Sequence, residues 1–130
     1  MTFPTTPPTF NPPPKIVQKG WGYEVWLHND EKYCLKLLCF RPITTCSMHF
    51  HALKTETWYI LAGAFELELL DTLAGTVKHS RLEAGDWLDI PPLMPHRLSC
   101  VSQVEGVIVE ASTQHFENDS YRIAPGDSQK

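Results

Sequence analysis

Between residue 15 and the C-terminal tail, no stretch sustains the 3.6-residue apolar period of an amphipathic helix. The chain repeats a period of two instead, in short runs stopped by turn residues. Phe65-Glu66-Leu67-Glu68-Leu69 shows it most plainly, with apolar and acidic positions alternating. Successive side chains of a strand point to opposite faces, so this run offers one face to a core and one to water. Further strands are expected over 23–28, 33–40, 45–51, 56–62, 65–70, 75–82, 86–90, 96–100 and 104–112. Asn29-Asp30, Arg41-Pro42, Gly63, residues 71–75, Ala84-Gly85-Asp86 and Pro91-Pro92 supply the turns. Many short strands so punctuated predict an all-β barrel or sandwich. The sequence carries no internal repeat, so one barrel is expected and not a tandem pair.

A chain of 130 residues is the size of one domain and can bury a core, for which a hydrophobic fraction of 42% is ample. Residues 1–14 contain six prolines, ending in Pro12-Pro13-Pro14. Proline fixes φ and lacks the N–H, so this segment is expected to be an extended or disordered tail, with the domain proper over 15–130. A net charge of −4 offers no basic field for nucleic acid or anionic membrane. No apolar run reaches the roughly 18–20 residues of a membrane span, and the Pro-rich start does not read as a signal peptide. Cys34, Cys39, Cys46 and Cys100 lack C-x-x-C spacing and are expected to be packed free thiols, which together with the rest predicts a cytoplasmic protein.

Within this pattern stands one constellation of ligand-forming residues. His49 and His51 are two apart, so a strand presents both imidazoles to the same side. Glu56 follows after a short turn and can return on the next strand facing the same space. His96 supplies a plausible fourth donor. Imidazole and carboxylate together suit Mn, Fe, Co, Ni, Cu or Zn, and the set predicts one divalent transition metal per chain. Four protein ligands on an ion that accepts five or six leave positions open for substrate oxygen. His28, His79 and His115 fall outside this spacing and are expected to be core or surface side chains. By alternation from His49, Cys46 points away from the site, whereas Cys100 shares the parity of His96.

The spacing H-x-H, Glu56, Gly63 and then Gly85, Pro91, His96 resembles the two motifs of the cupin superfamily. That resemblance covers about residues 16–124 and implies a single cupin barrel, a double-stranded β-helix or jelly roll, holding a metal by three His and one Glu. The glycine that usually opens the first motif is Ile43 here, and the internal glycine of the second is Leu93. Both departures fall at turn positions.

The flanks narrow the resemblance. Trp21-Gly22-Tyr23-Glu24, Glu56-Thr57-Trp58, Pro95-His96-Arg97-Leu98 and the tail Asp119-Ser120-Tyr121-Arg122 are similar to the cupin domain of type II mannose-6-phosphate isomerases. The nucleotidyltransferase domain of the long bifunctional members is not expected here. The resemblance implies carbohydrate metabolism: proton transfer between adjacent carbons of a sugar or sugar phosphate through a cis-enediol, with the ion acting as Lewis acid. Glu110 is the candidate base, because Val107-Ile108-Val109-Glu110 reads as a buried strand closing on a charge. The alternative is that Glu110 ends its strand in solvent. Arg122 is the first candidate for a phosphate-binding cation at the cavity mouth, with Lys54 and Lys19 behind it; Arg97 is expected to point outward. A cupin dioxygenase and a non-catalytic sugar-binding cupin are the competing functions. An uncovered sheet edge is a liability that pairing removes, so a homodimer using the segment 15–28 is expected.

Overall fold

The computed structural model describes residues 8–130. Residues 1–7, half of the expected Pro-rich tail, lie outside that range; residues 8–14 are exposed and belong to no strand. Twelve strands follow among the described residues. In chain order they are β1 (Lys15–Lys19), β2 (Gly22–Asn29), β3 (Cys34–Phe40), β4 (Thr44–Thr45), β5 (Met48–Phe50) and β6 (Glu56–Ala62). The second half continues with β7 (Ala64–Asp71), β8 (Thr76–Glu83), β9 (Trp87–Ile90), β10 (His96–Cys100), β11 (Gly106–Ser112) and β12 (Tyr121–Ala124). One 3-10 turn, Asp127–Gln129, closes the chain. No helix of the described residues is long and apolar enough to cross a membrane.

All the pairings are antiparallel and make two sheets. One has the order β1-β2-β3-β11-β6-β9; the other runs β12-β5-β10-β7-β8, with β4 also pairing β10. Their inner faces meet in a core of Phe40, Trp58, Ile60, Phe65, Leu67, Leu98 and Ile108. Trp21 stacks on Phe40 at 4.0 Å between ring centroids, and Phe40 meets Phe65 edge-on. The period of two read in 65–69 decides which way β7 faces. Phe65 and Leu67 are buried, while Glu66 and Glu68 stand opposite Arg81 and His79 on the outer face. All four cysteines are buried free thiols.

Two expected strands, 56–62 and 96–100, appear with those bounds, and six others shift by one or two residues at an end. The expected strand 45–51 is broken. Thr45 pairs Ser99 and His49 pairs His96, so four steps on one strand oppose three on the other. The extra residue is a bulge, and a one-residue shift turns the following side chains to the other face. Cys46 therefore sits inside, lining the same cavity as His49, against the expectation from alternation. Its Sγ accepts the Leu98 N–H at 3.2 Å. β1 and β12 were not read as strands.

Gly63, between β6 and β7, has φ +77°, and a Cβ there would come within 2.8 Å of the Gly106 Cα. Ile43 and Leu93 hold φ of 54° and 66° without being glycine. The backbone thus keeps the left-handed turns at both positions where the motifs usually place glycine. For a β-branched residue this is a genuine outlier, costing about 1–2 kcal/mol. Both side chains are exposed, so truncating them forfeits little burial. Leu93→Gly and Ile43→Gly are each expected to raise stability by about 0.5–1 kcal/mol, relief of strain outweighing the added freedom of the unfolded chain. A lowered denaturation midpoint in both variants would overturn this account.

Candidate metal centre and the cavity around it

His49 lies on β5, His51 just past its end, and His96 opens β10 directly opposite His49. Their ligand atoms all fall within 4.8 Å of one another. Each ring is held from behind by a backbone carbonyl. The Nδ1 atoms lie 2.9 Å from Ser47 O, 2.7 Å from Asp119 O and 2.9 Å from Met94 O, for His49, His51 and His96 respectively. A carbonyl only accepts, so each Nδ1 carries the proton and donates it, leaving the Nε2 lone pair for the cavity. Burial holds all three rings neutral. It is the first cause of the depression for each, reinforced at His49 by His96 and at His51 by the Lys54 charge; His49 is lowered to about 3 and His96 to about 4.

Glu56 opens β6, and its Oε2 lies 3.9 Å from His51 Nε2 and 3.6 Å from His96 Nε2. That oxygen is buried and accepts no hydrogen bond. Leaving a buried carboxylate oxygen unpaired is costly, and a cation among the four donors is what would satisfy it. The residues therefore fit a divalent transition ion: neutral imidazoles with the tautomer fixed, and an anionic oxygen facing two of them.

Asp119, from the tail motif, organises the loop that joins these ligands. Beside its carbonyl on His51, its carboxylate accepts the backbone N–H groups of Ala52, Leu53 and Lys54 at 2.8–3.2 Å. It ties residues 51–54 into one conformation and so fixes where Glu56 re-enters the sheet.

Opposite the histidines, a charged wall completes a cavity of about 250 Å³. Glu110 projects inward from the middle of β11 and is 4% exposed, so it does not end its strand in solvent. Its Oε2 accepts no hydrogen bond and lies 3.9 Å from Lys54 Nζ. Burial raises the pKa of Glu110 against the opposing pull of Lys54.

Lys54 is not at the mouth. It is 4% exposed, with Nζ 3.5 Å from Glu56 Oε1 and 3.4 Å from His115 Nδ1. Burial pushes its pKa down, but the carboxylates of Glu110 and Glu56 prevail and raise it. Arg122 is exposed and lines the rim, on the β12 position that pairs His49; Lys19 lines the cavity as well. Arg97 points outward, 3.7 Å from Glu68. Cys100, despite its shared parity with His96, packs in the core below the cavity.

The charged and aromatic lining residues Glu24, Trp26, Lys36 and His115 were missed. Lys36, 2% exposed on β3, reaches 3.5 Å from Glu24 Oε1 and stands 4.1 Å over the Trp26 ring, whose Nε1–H donates to the same Glu24 oxygen. A lone lysine inside Cys34-Leu35-Lys36-Leu37-Leu38-Cys39-Phe40, on the parity of the buried residues, was the available signal. His115 arrives from the segment after β11 and is tied there by Asn29, whose Oδ1 accepts the His115 N–H. Burial, then the charges of Lys36 and Lys54, lower it to about 4. Only the folded chain brings it to the cavity, so its lack of ligand spacing carried no information.

Comparison with known proteins agrees with this geometry at the level of the fold. No protein-family model and no curated protein matches the sequence. Solved structures do. The capsular polysaccharide assembling protein CapF from Staphylococcus aureus superposes with a TM-score of 0.78 at 15% identity, covering 88% of this chain and 35% of that one. Oxalate decarboxylase from Bacillus subtilis superposes at 0.74 and 15% identity, covering 85% of this chain and 30% of that one. Both are cupin-fold proteins. The chain is a single cupin barrel. It spans about a third of the length of either neighbour. In this cupin barrel the three histidines come from the β12-β5-β10-β7-β8 sheet, and Glu56, Glu110 and Lys36 come from the facing one. The three histidines and the charged wall therefore face one another across the cavity.

Proposed function

We propose that the chain is a metal-dependent aldose–ketose isomerase acting on a sugar phosphate, with mannose 6-phosphate the first substrate to try. The observation that carries this reading is Glu110, a buried carboxylate with a free oxygen in the same cavity as a three-histidine centre. An isomerase of this kind needs a base that removes a proton from one carbon and returns it to the next. Burial raises the basicity of Glu110, with the Lys54 charge pulling the other way. Divalent metal held by His49, His51, His96 and Glu56 would supply Lewis acidity to adjacent carbonyl and hydroxyl oxygens. Arg122 at the rim supplies the cation for the phosphate, with Lys19 behind it. The sequence motifs support the isomerase class, and the polysaccharide role named for CapF supports a carbohydrate ligand. The carboxylate at Glu56 speaks against the thiol dioxygenase alternative.

The test is exchange of the C2 proton with deuterated solvent, on metal-loaded protein given aldoses, ketoses and their phosphates. Exchange without net turnover still supports the reading. No exchange with any of them overturns it and leaves a sugar-binding cupin. If Arg122 binds the phosphate in the ground state, Arg122→Ala raises KM for the phosphorylated sugar about tenfold at nearly constant kcat. The unphosphorylated analogue is then unaffected. An equal loss on both substrates would remove the phosphate role.

A further inference from the structure

On the inner face of the β1-β2-β3-β11-β6-β9 sheet, one paired row crosses four strands. Trp26 pairs Lys36, Lys36 pairs Glu110, and Glu110 pairs Trp58. Directly paired residues of an antiparallel sheet share a face, and all four line the cavity. A lysine and a glutamate so placed ordinarily form the ion pair of their row. These two do not. Among the described residues, Lys36 pairs with Glu24 at 3.5 Å and Glu110 with Lys54 at 3.9 Å.

Both groups are left short of partners. Lys36 is 2% exposed, and its hydrogen bond among the described residues is the long one to Glu24, although an ammonium carries three donors. Its Nζ leans over the Trp26 ring on β2, away from the β11 side where Glu110 stands. Glu110 is just as deeply buried, and its Oε2 has no hydrogen-bond partner. A buried donor and a buried acceptor thus flank a break in the row. Neighbouring strands lie about 4.8 Å apart, a span that two consecutive hydrogen bonds of about 2.8 Å cover.

Whatever fills the break must accept from the ammonium and donate to the carboxylate. A ligand carboxylate cannot donate, and it would be set against Glu110 and Glu24. A ligand ammonium cannot accept, and it would meet Lys36 and Lys54. A hydroxyl does both. We propose that Lys36 and Glu110 form a subsite for a polyhydroxylated ligand, one hydroxyl accepting from Lys36 Nζ and donating to Glu110 Oε2. The subsite deepens the isomerase reading, on which the choice of a sugar rests, by fixing the ligand beside Glu110. An analogue without that hydroxyl leaves two buried charges unsatisfied, so the site rejects it.

Hexitols carry the hydroxyls of a sugar without its carbonyl, so they report binding apart from turnover. The experiment is calorimetric titration of the full chain with mannitol, glucitol and their monodeoxy analogues at millimolar concentration. At least one analogue is expected to bind about 10- to 100-fold more weakly than its parent, the range for a hydrogen bond to a charged group. Lys36→Met keeps the length of the side chain and removes the charge. The parent should then lose affinity by about the same factor and that analogue hardly at all, so that the two bind alike. A merely structural role for Lys36 would weaken both equally, and that outcome overturns the proposal. Wild-type affinity of Lys36→Met for every hexitol does the same. A wild type that binds parents and analogues alike, or binds none, overturns it without any variant, should Lys36→Met fail to fold. Discrimination that vanishes with Lys36, in a protein that exchanges no C2 proton, would keep the subsite and remove the isomerase reading.

Discussion

Glu110→Gln is expected to lower turnover on the isomerase substrate by about 10²–10⁴-fold, the usual contribution of a positioned base. The amide keeps the size and the hydrogen-bonding reach of the side chain but cannot accept the proton. Metal content and thermal midpoint should stay close to wild type, because Glu110 is not among the four donors and the variant relieves a buried charge. The pH dependence supplies an independent check. The base works when ionised, so kcat/KM falls as pH drops through its pKa. Burial raises that pKa, so the acid limb should lie above the ordinary carboxylate range. The Lys54 charge pulls it back down. Lys54→Met should therefore move the acid limb to higher pH while keeping the plateau rate, provided Lys54 acts only through Glu110. An unchanged acid limb in that variant, or a Glu110→Gln enzyme at full rate, would remove Glu110 from the mechanism.

Alternation along strands made most of this site legible before any coordinates. His49, His51, Glu56 and His96 converge because three strand ends and one short turn place them, and each of those features is local in sequence. The same rule failed at Cys46. The bulge between β4 and β5 depends on how both pair with β10, some fifty residues away, and nothing within 44–50 announces it. Ile43 and Leu93 show the converse case. Their turns survive without glycine because the flanking pairing holds them, as in the 2.7 Å bond from Leu93 N to His51 O. The charged wall was half visible. Lys36 sits at a buried parity within an apolar run, a conflict the alternation rule could have exposed. His115 and Lys54 owe their places to long-range packing, and Lys54 in particular became a buried bridge where its sequence neighbours suggested a surface cation.

His51→Ala should abolish metal occupancy, and Glu56→Gln should only weaken it. The difference follows from the geometry. His51 is fixed by Asp119 in a loop that cannot swing a substitute donor into place, whereas an amide oxygen at position 56 still points between His51 and His96. Elemental analysis of the purified variants reads both outcomes. Thermal unfolding reads them a second way. A ligand that binds only the folded chain at about a hundred times its dissociation constant stabilises by about 2.7 kcal/mol, so chelation should lower the midpoint of the wild type. The midpoint of His51→Ala should not respond to chelator. The barrel itself should stay folded without metal, because its core of Trp58, Phe40, Phe65 and Ile60 is built below the site and does not depend on it. Full metal retention in both variants would rule out this centre. A chelated wild type that loses its strands altogether would show instead that the ion is part of the fold.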